Sequence, residues 1–295
     1  MVCGKFLVNM ENYYKSKIFE IDDNKKISVI MGIYNCESTL SFAIDSILEQ
    51  TYKNWELIMC DDCSTDSTYV IANTYKIKYP DKIILLKNEA NLKLSYSLNC
   101  CLKYATGYYI ARMDADDISS PDRFLKQVDF LKTHSEYDLV STGMTPFDEK
   151  FIYKPRILKK IPDKYDLVKS SCFSHATIMT TKKVFDLLGG YRVSKMTSRS
   201  QDYDLWFRFF YNGLKGYNMQ ESLYYVREDK KAFGRRKWWV RWNNMKIKYY
   251  GFKLLQFPIW YYPYIVTPLY KMIVPPSLVY LYRNKQRGKI INGSL

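Results

Sequence analysis

Tyr108-Tyr109-Ile110-Ala111-Arg112-Met113-Asp114-Ala115-Asp116-Asp117 carries a short aromatic and aliphatic run straight into three carboxylates. Residues of this kind suit a buried strand, and Gly107 before them suits a turn. Downstream, Ser119-Ser120-Pro121-Asp122 reads as a helix start, with Ser120 as N-cap, Pro121 at the first helical position and Asp122 in the first turn. Asp114, Asp116 and Asp117 are therefore expected in a strand-to-helix loop, at the carboxyl end of a strand, where open α/β sheets bind ligands. Three carboxylates that close repel one another unless a cation or a proton intervenes. By itself a D-x-D also describes an acidic solvated turn, so its meaning depends on the rest of the chain.

Upstream, Ile27–Ile33 reads as a first buried strand, followed by a helix capped by Ser38 with Leu40, Ala43, Ile44, Ile47 and Leu48 on one face. Trp55–Cys60 predicts a second strand that ends in Asp61-Asp62-Cys63-Ser64, with a helix starting near Asp66. Lys82–Leu86 predicts a third strand and Leu94–Tyr104 a helix, so the Asp114 strand is the fourth. Alternating strands and helices imply βαβ units, a parallel sheet and right-handed crossovers. Beyond the carboxylates, Phe124, Leu125, Val128 and Leu131 mark an amphipathic helix, and Tyr137–Ser141 a strand. Residues 145–170 look irregular, order returns at Phe173–Met179, and Lys182–Leu188 reads as a short helix stopped by Gly189-Gly190. In Ser200–Arg208, Leu205, Trp206, Phe209 and Phe210 share a face, which puts Asp202 in a first helical turn.

The 295 residues carry a net charge of +15, which points to an anionic partner: nucleic acid, a phosphorylated substrate or an anionic membrane. An odd count of seven cysteines, with no signal-peptide pattern at the N-terminus, argues for reduced thiols in a cytoplasmic setting. Cys60-x-x-Cys63 lacks a second pair at zinc-site spacing and reads as packing.

Two carboxylate clusters on neighbouring strand ends and a third, helix-borne carboxylate fit chemistry on a nucleotide-linked sugar. Its diphosphate leaving group must be neutralised, which a divalent cation on hard oxygen ligands achieves, and the D-x-D loop supplies that site. Asp61-Asp62 is placed to accept hydrogen bonds from a nucleobase or ribose. A single displacement also needs a base for the attacking hydroxyl, and Asp202 is the best candidate, its helix N-terminus favouring the ionised form at neutral pH.

The chain resembles family 2 glycosyltransferases of the GT-A fold, of the bacterial surface-polysaccharide type. The matching pieces are Val29–Asn35, Ser46–Tyr52, Asp61–Asp66, Asp114–Asp117, Pro121–Phe124, Gly189–Tyr191 and Gln201–Trp206, in family order over roughly residues 27–210. The resemblance implies an α/β, Rossmann-like, mostly parallel sheet over residues 26–230, preceded by a lead-in (1–25) and followed by a basic, aromatic helical extension (231–295). It further implies that the backbone around Ile33 and Tyr34, with Asp61, holds the base, and that Asp62 assists or braces the loop. Asp116 would be the main ligand of Mn²⁺ or Mg²⁺, Asp114 would meet ribose or metal, Asp117 has a less defined part, and Asp202 would be the base of an inverting transfer from a donor that is UDP-linked by family tendency. Two positions depart from the pattern: Cys63 stands for the usual Gly of D-D-G-S, and Gln201 for the common Glu before the base. His175 is either a satisfied structural residue or a contact for diphosphate or metal.

Arg235–Trp242 interleaves bases with indoles, and Leu254–Tyr282 is aromatic, apolar and broken by five prolines. Such a stretch is too interrupted for a spanning helix and predicts peripheral membrane contact through residues 235–282, at the inner face of the cell membrane. The competing expectation is an extension packed on the catalytic domain or on another subunit. A glycan or lipid-linked acceptor is expected, and no nucleic acid. Two other classes compete: a nucleotidyltransferase, which would need a Gly-rich phosphate loop that Met31–Asn35 does not offer, and a non-catalytic basic scaffold, which would have no need of Asp114, Asp116 and Asp202 together.

Overall fold

The computed structural model describes residues 24–228, 238–269 and 287–290. The expected lead-in up to residue 23, Arg235–Lys237 and the 270–286 part of the aromatic tail lie outside them.

Four strands form the parallel half of the sheet: β1 (Ile27–Ile33), β2 (Trp55–Asp61), β3 (Ile83–Lys87) and β4 (Tyr109–Arg112). Helices α1 (Leu40–Leu48), α2 (Thr68–Lys78) and α3 (Leu94–Tyr104) connect them in sequence. Along the sheet they lie in the order β3-β2-β1-β4, every adjacent pair parallel. Strand alternation sorts the core. Val29, Leu57, Met59 and Ala111 join Ala43 and Ile44 of α1 on one face, while Ile30, Ile58, Cys60 and Ile110 join Leu98 and Cys101 of α3 on the other. The cysteines of this core act as apolar filler, and burial pushes the Cys60 thiol up to about 12.

Beyond β4 the sheet turns antiparallel. Short β5 (Ile118–Ser119) precedes α4 (Arg123–Thr133), and β6 (Leu139–Phe147), β7 (Phe151–Tyr153) and β8 (Met179–Thr181) extend the sheet past β4 in the order β8-β6-β7. Helices α5 (Lys182–Leu188) and α6 (Gln201–Tyr211) follow, and then β9 (Gly216–Arg227), parallel to β6 and antiparallel to β5. Helix α7 (Trp238–Leu254), a 3₁₀ segment (Ile259–Val266) and β10 (Arg287–Ile290), antiparallel to β7, complete the described chain.

Four sequence readings are changed or refined. Ser120 does not cap a helix: pairing of β5 with β9 holds Ile118 and Ser119 extended, Ser120 donates its backbone N–H to Leu223, and α4 begins only at Arg123. The order expected over Phe173–Met179 takes the form of a 3₁₀ turn at His175–Thr177, with a strand starting at Met179. The strand predicted at Tyr137–Ser141 begins at Leu139 and runs to Phe147, into the stretch read as irregular. The 12-residue β9 was not anticipated at all.

The C-terminal helix packs on the core of the α/β domain. Ile247, Phe252, Leu255 and Phe257 enter the same cluster as Trp206, Phe207 and Phe209 of α6. Gly251 permits the approach, since a Cβ there would stand 2.4 Å from atoms of the Phe207 ring. Among the described residues no helix is long and apolar enough to cross a membrane.

Candidate active site

The connections after β1 run one way along the sheet and β4 lies on the other side of β1, so the two strand ends diverge at a topological switch point. Ile33 and exposed Tyr34 leave β1 there, and the carboxylate loop leaves β4 beside them, tied to β1 by the bond from Met113 N–H to the Ile30 carbonyl.

In that loop Asp114, Asp116 and Asp117 each bring a carboxylate oxygen within 4.8 Å of the others. Their environments differ. Asp114 is gripped by both terminal nitrogens of Arg112, Nη1 donating to Oδ2 at 2.6 Å and Nη2 to Oδ1. Burial alone would lower the Arg112 pKa, but Asp114 beside it raises it above the ordinary value, so the guanidinium stays charged. Asp117 is buried and accepts the backbone N–H of Arg227 on Oδ1 at 2.8 Å. Burial first, then Asp116 and Asp114, pushes its pKa well above the usual carboxylate range. Asp116 is half-buried, and its backbone carbonyl accepts Arg227 Nε. Tyr224 closes the loop from behind by accepting the Asp114 N–H at 3.1 Å. The donor set consists of hard oxygens and suits a divalent cation.

The residues behind the loop explain a second matching piece. Gln50 Nε2 donates to Ser46 O, Ser119 Oγ and Ser120 O, and its Oε1 accepts Phe124 N–H. Thr51 N–H reaches the Pro121 carbonyl at 2.9 Å. The C-terminus of α1 thus anchors the segment that carries the carboxylates into α4.

The Asp61-Asp62 pair is largely engaged within the protein. Asp61 is fully buried and its two oxygens accept Ser64 Oγ at 2.5 Å and Ser64 N–H at 3.2 Å. Asp62 accepts Asn88 Nδ2, Leu92 N–H and Lys93 N–H at 2.8, 2.8 and 2.9 Å, fixing the β3–α3 loop, and its own N–H goes to the Ile33 carbonyl. Of the two parts expected for Asp62, bracing is the one the geometry displays. Cys63 adopts φ 61°, the left-handed conformation that glycine takes without strain. Asn35, Lys93 and Arg199 share positive φ, all in loops that line the carboxyl side of the sheet or the start of α6.

Asp202 lies in the first turn of α6. Burial raises its pKa despite the backbone N–H of Tyr203 and the charge of Arg112, which both oppose the rise. The helix N-terminus was expected to favour the ionised form; desolvation outweighs it and makes this carboxylate a stronger base. His175 stands outside the aspartate group. Its Nε2 pairs with Tyr191 Oη at 2.8 Å, and burial, then Arg112, drives its pKa well below the ordinary value, so the ring is neutral. The charge of Arg112 is thus felt by Asp114, Asp202 and His175 alike. Sequence reading gave no part to Tyr224 or Arg227, because the β9 pair has no local signal.

Comparison with known proteins agrees with this geometry. The family model described as Glycosyl transferase family 2 matches residues 28–189. A protein of Bacillus subtilis (strain 168) named as a glycosyltransferase, EpsE, is 47% identical over 266 residues, covering 90% of this chain and 96% of its own. An Escherichia coli protein, WfaP, named as a UDP-Glc:alpha-D-GlcNAc-diphosphoundecaprenol beta-1,3-glucosyltransferase, is 31% identical over 247 residues, covering 83% of this chain and 94% of its own. Among solved structures, Staphylococcus aureus TarS 1–349 in complex with UDP-GlcNAc superposes with a TM-score of 0.61 at 18% identity, over 75% of this chain and 65% of that chain. The mannosyltransferase PcManGT of Pyrobaculum calidifontis, in complex with GDP-Man and Mn²⁺, gives 0.59 at 17% identity, over 96% and 89%. These structural likenesses establish the GT-A fold.

Proposed function

Because this chain belongs to glycosyl transferase family 2 and is a glycosyltransferase, we propose that it is an inverting, metal-dependent enzyme of surface-polysaccharide synthesis. It moves a sugar from a nucleotide-sugar donor, UDP-linked, to a hydroxyl of a glycan or lipid-linked acceptor. The observation that carries the reading is the cluster of Asp114, Asp116 and Asp117 at the switch point of the sheet, with Arg112 paired to Asp114.

In this reading Asp116 holds Mn²⁺ or Mg²⁺, which when bound neutralises the leaving diphosphate. Asp114, oriented by Arg112, accepts from the ribose, and Asp117 holds the loop closed through Arg227 N–H. The backbone of Ile33 and Tyr34, with the Asp61 turn, forms the wall for the base. Asp202 takes the proton of the acceptor hydroxyl as that oxygen bonds to the anomeric carbon, from the side opposite the departing nucleoside diphosphate. A raised pKa suits it to that proton. Gln201 beside it carries no charge and leaves Asp202 without a like-charged neighbour at that position.

Incubating the protein with Mn²⁺ and a panel of nucleotide sugars tests the reading. Nucleoside diphosphate release from one donor, abolished by EDTA, is expected; release of pyrophosphate would mean a nucleotidyltransferase instead.

A further inference from the structure

Strands β1 and β2 stay paired up to Ile33 opposite Asp61, and one more backbone bond, from Asp62 N–H to the Ile33 carbonyl at 2.9 Å, extends the ladder. Past that point side chains take over the pairing. Three successive N–H groups of the loop after β1 each donate to a side chain of the loop after β2: Asn35 to Ser64 Oγ at 3.1 Å, Cys36 to Thr68 Oγ1 at 2.8 Å and Glu37 to Asp66 Oδ2 at 3.3 Å. The second loop answers in the same way. Thr65 N–H donates to Asn35 Oδ1 and Ser67 N–H to Glu37 Oε2, both at 2.9 Å. Backbone donors that two diverging loops would leave to water are thus satisfied across the gap between them.

Asn35 joins this exchange to the strand ends. Its φ is 47°, a left-handed conformation that asparagine tolerates better than most residues with a side chain. The Thr65 N–H requires an oxygen at Oδ1, which fixes the amide and leaves Nδ2 to donate to Thr65 Oγ1 at 3.3 Å. The Asn35 N–H also begins a chain of bonds, first to Ser64 Oγ and from that hydroxyl to Asp61 Oδ1 at 2.5 Å. One side chain and one N–H of Asn35 therefore restrain both Asp61, which is fully buried, and the backbone of its own neighbour Tyr34, which is 47% exposed.

We propose that Asn35 is a positioning residue for the donor: through Ser64 and Thr65 it latches the two loops into one rigid wall, so that the surface meeting the nucleobase is formed before the nucleotide arrives. The inference rests on the donor reading above, which puts the base against Ile33, Tyr34 and Asp61, and adds what holds that wall in place. A wall that is already ordered binds more tightly, because no loop has to lose conformational freedom at the moment of binding. The latch belongs to the base side of the donor. The hydrogen bonds of Asn35, Ser64 and Thr65 stay within the two loops and Asp61, and none reaches the Asp114–Asp117 loop.

The test is calorimetric titration of UDP and, separately, of inorganic pyrophosphate, each at saturating Mn²⁺, into wild type, Asn35→Gly, Ser64→Ala, Ser64→Thr and the N35G/S64A double variant. Glycine takes φ 47° without strain and Asn35 is exposed, so Asn35→Gly keeps the backbone turn and removes only the latch. UDP affinity should fall about 10-fold in Asn35→Gly and in Ser64→Ala, while pyrophosphate affinity stays within about twofold. The double variant should lose little more than either single one, because each already opens the shared latch. Ser64→Thr keeps the hydroxyl and should keep most of the affinity. Asn35→Gly binding UDP as tightly as wild type would overturn the latch. Equal losses for UDP and pyrophosphate would overturn its restriction to the base, and strict additivity in the double variant its passage through Ser64. Wild-type protein that fails to bind UDP would instead overturn the donor reading beneath the inference.

Discussion

Replacing Arg112 with Met removes the guanidinium that both orients and neutralises Asp114 while keeping an apolar stem of similar length. The Arg112 side chain is 4% exposed and that of Asp114 33%. Breaking a fully buried pair by deleting one partner costs about 3–5 kcal/mol, because a charge is left uncompensated. Water already reaches Asp114, so the loss should fall toward or below the low end, about 2–3 kcal/mol. At about 2–4 °C per kcal/mol for a chain of this size, thermal unfolding should begin some 5–10 °C earlier. Three carboxylates would then crowd the loop with their nearest cation gone, so added Mn²⁺ should raise the melting temperature of Arg112→Met more than that of wild type. The double variant R112M/D114N supplies the control: if the pair is the cause, removing the second charge recovers part of the loss. Melting within about 0.5 kcal/mol of wild type, or strict additivity in the cycle, would refute this account of Asp114.

Asp202→Asn should lower transfer by about 10²–10⁴-fold, the usual share of a general base. Burial raises the folded-state pKa of Asp202, so its contribution to stability is complete below the unfolded carboxylate pKa and is lost as pH rises through the folded value; at neutral pH the Asn variant should melt no lower than wild type, and the acidic limb of wild-type activity should lie above the ordinary carboxylate range. Cys63→Gly relieves a left-handed residue at φ 61°; about 1–2 kcal/mol of strain less the entropy cost of glycine leaves a gain of about 0.5–1 kcal/mol in chemical denaturation, and a loss would contradict the strain. Gly251→Val would drive a methyl into the Phe207 ring, where even a Cβ stands at 2.4 Å. A cost of about 1–3 kcal/mol and early release of the C-terminal segment in limited proteolysis are expected.

The parallel half of the sheet was legible because its signals are local. The apolar runs of β1 and β2 needed no partner to be recognised, and α3 and α5 were bounded correctly from their own residues, α5 by Gly189 and Gly190 at φ 67° and 69°. What failed depended on distant pairing. β9 carries Asn218, Gln220, Glu221 and Ser222 in its middle and shows no alternation; its partners β5 and β6 lie well upstream in the chain, yet it brings Tyr224 and Arg227 to the carboxylate loop. The same pairing overrode the helix-start chemistry of Ser120-Pro121. The carboxylates themselves were found by spacing, but what holds each one was not, because Asn88, Tyr224 and the Arg227 N–H are brought to them only by the fold. The aromatic tail shows a similar division. The packed face of α7 answers the expectation of an extension docked on the domain, and the exposed ledge at residues 259–269 keeps the side chains that suggested a membrane surface.

The most direct test of the central claim, that Asp116 holds a divalent cation against the donor diphosphate, is calorimetric titration of UDP into wild type and Asp116→Ala, each with and without Mn²⁺. Binding to wild type that requires Mn²⁺, and an Asp116→Ala variant that stays folded yet gains nothing from the metal, is the predicted result. Equal Mn²⁺-dependent binding in the two proteins would contradict it.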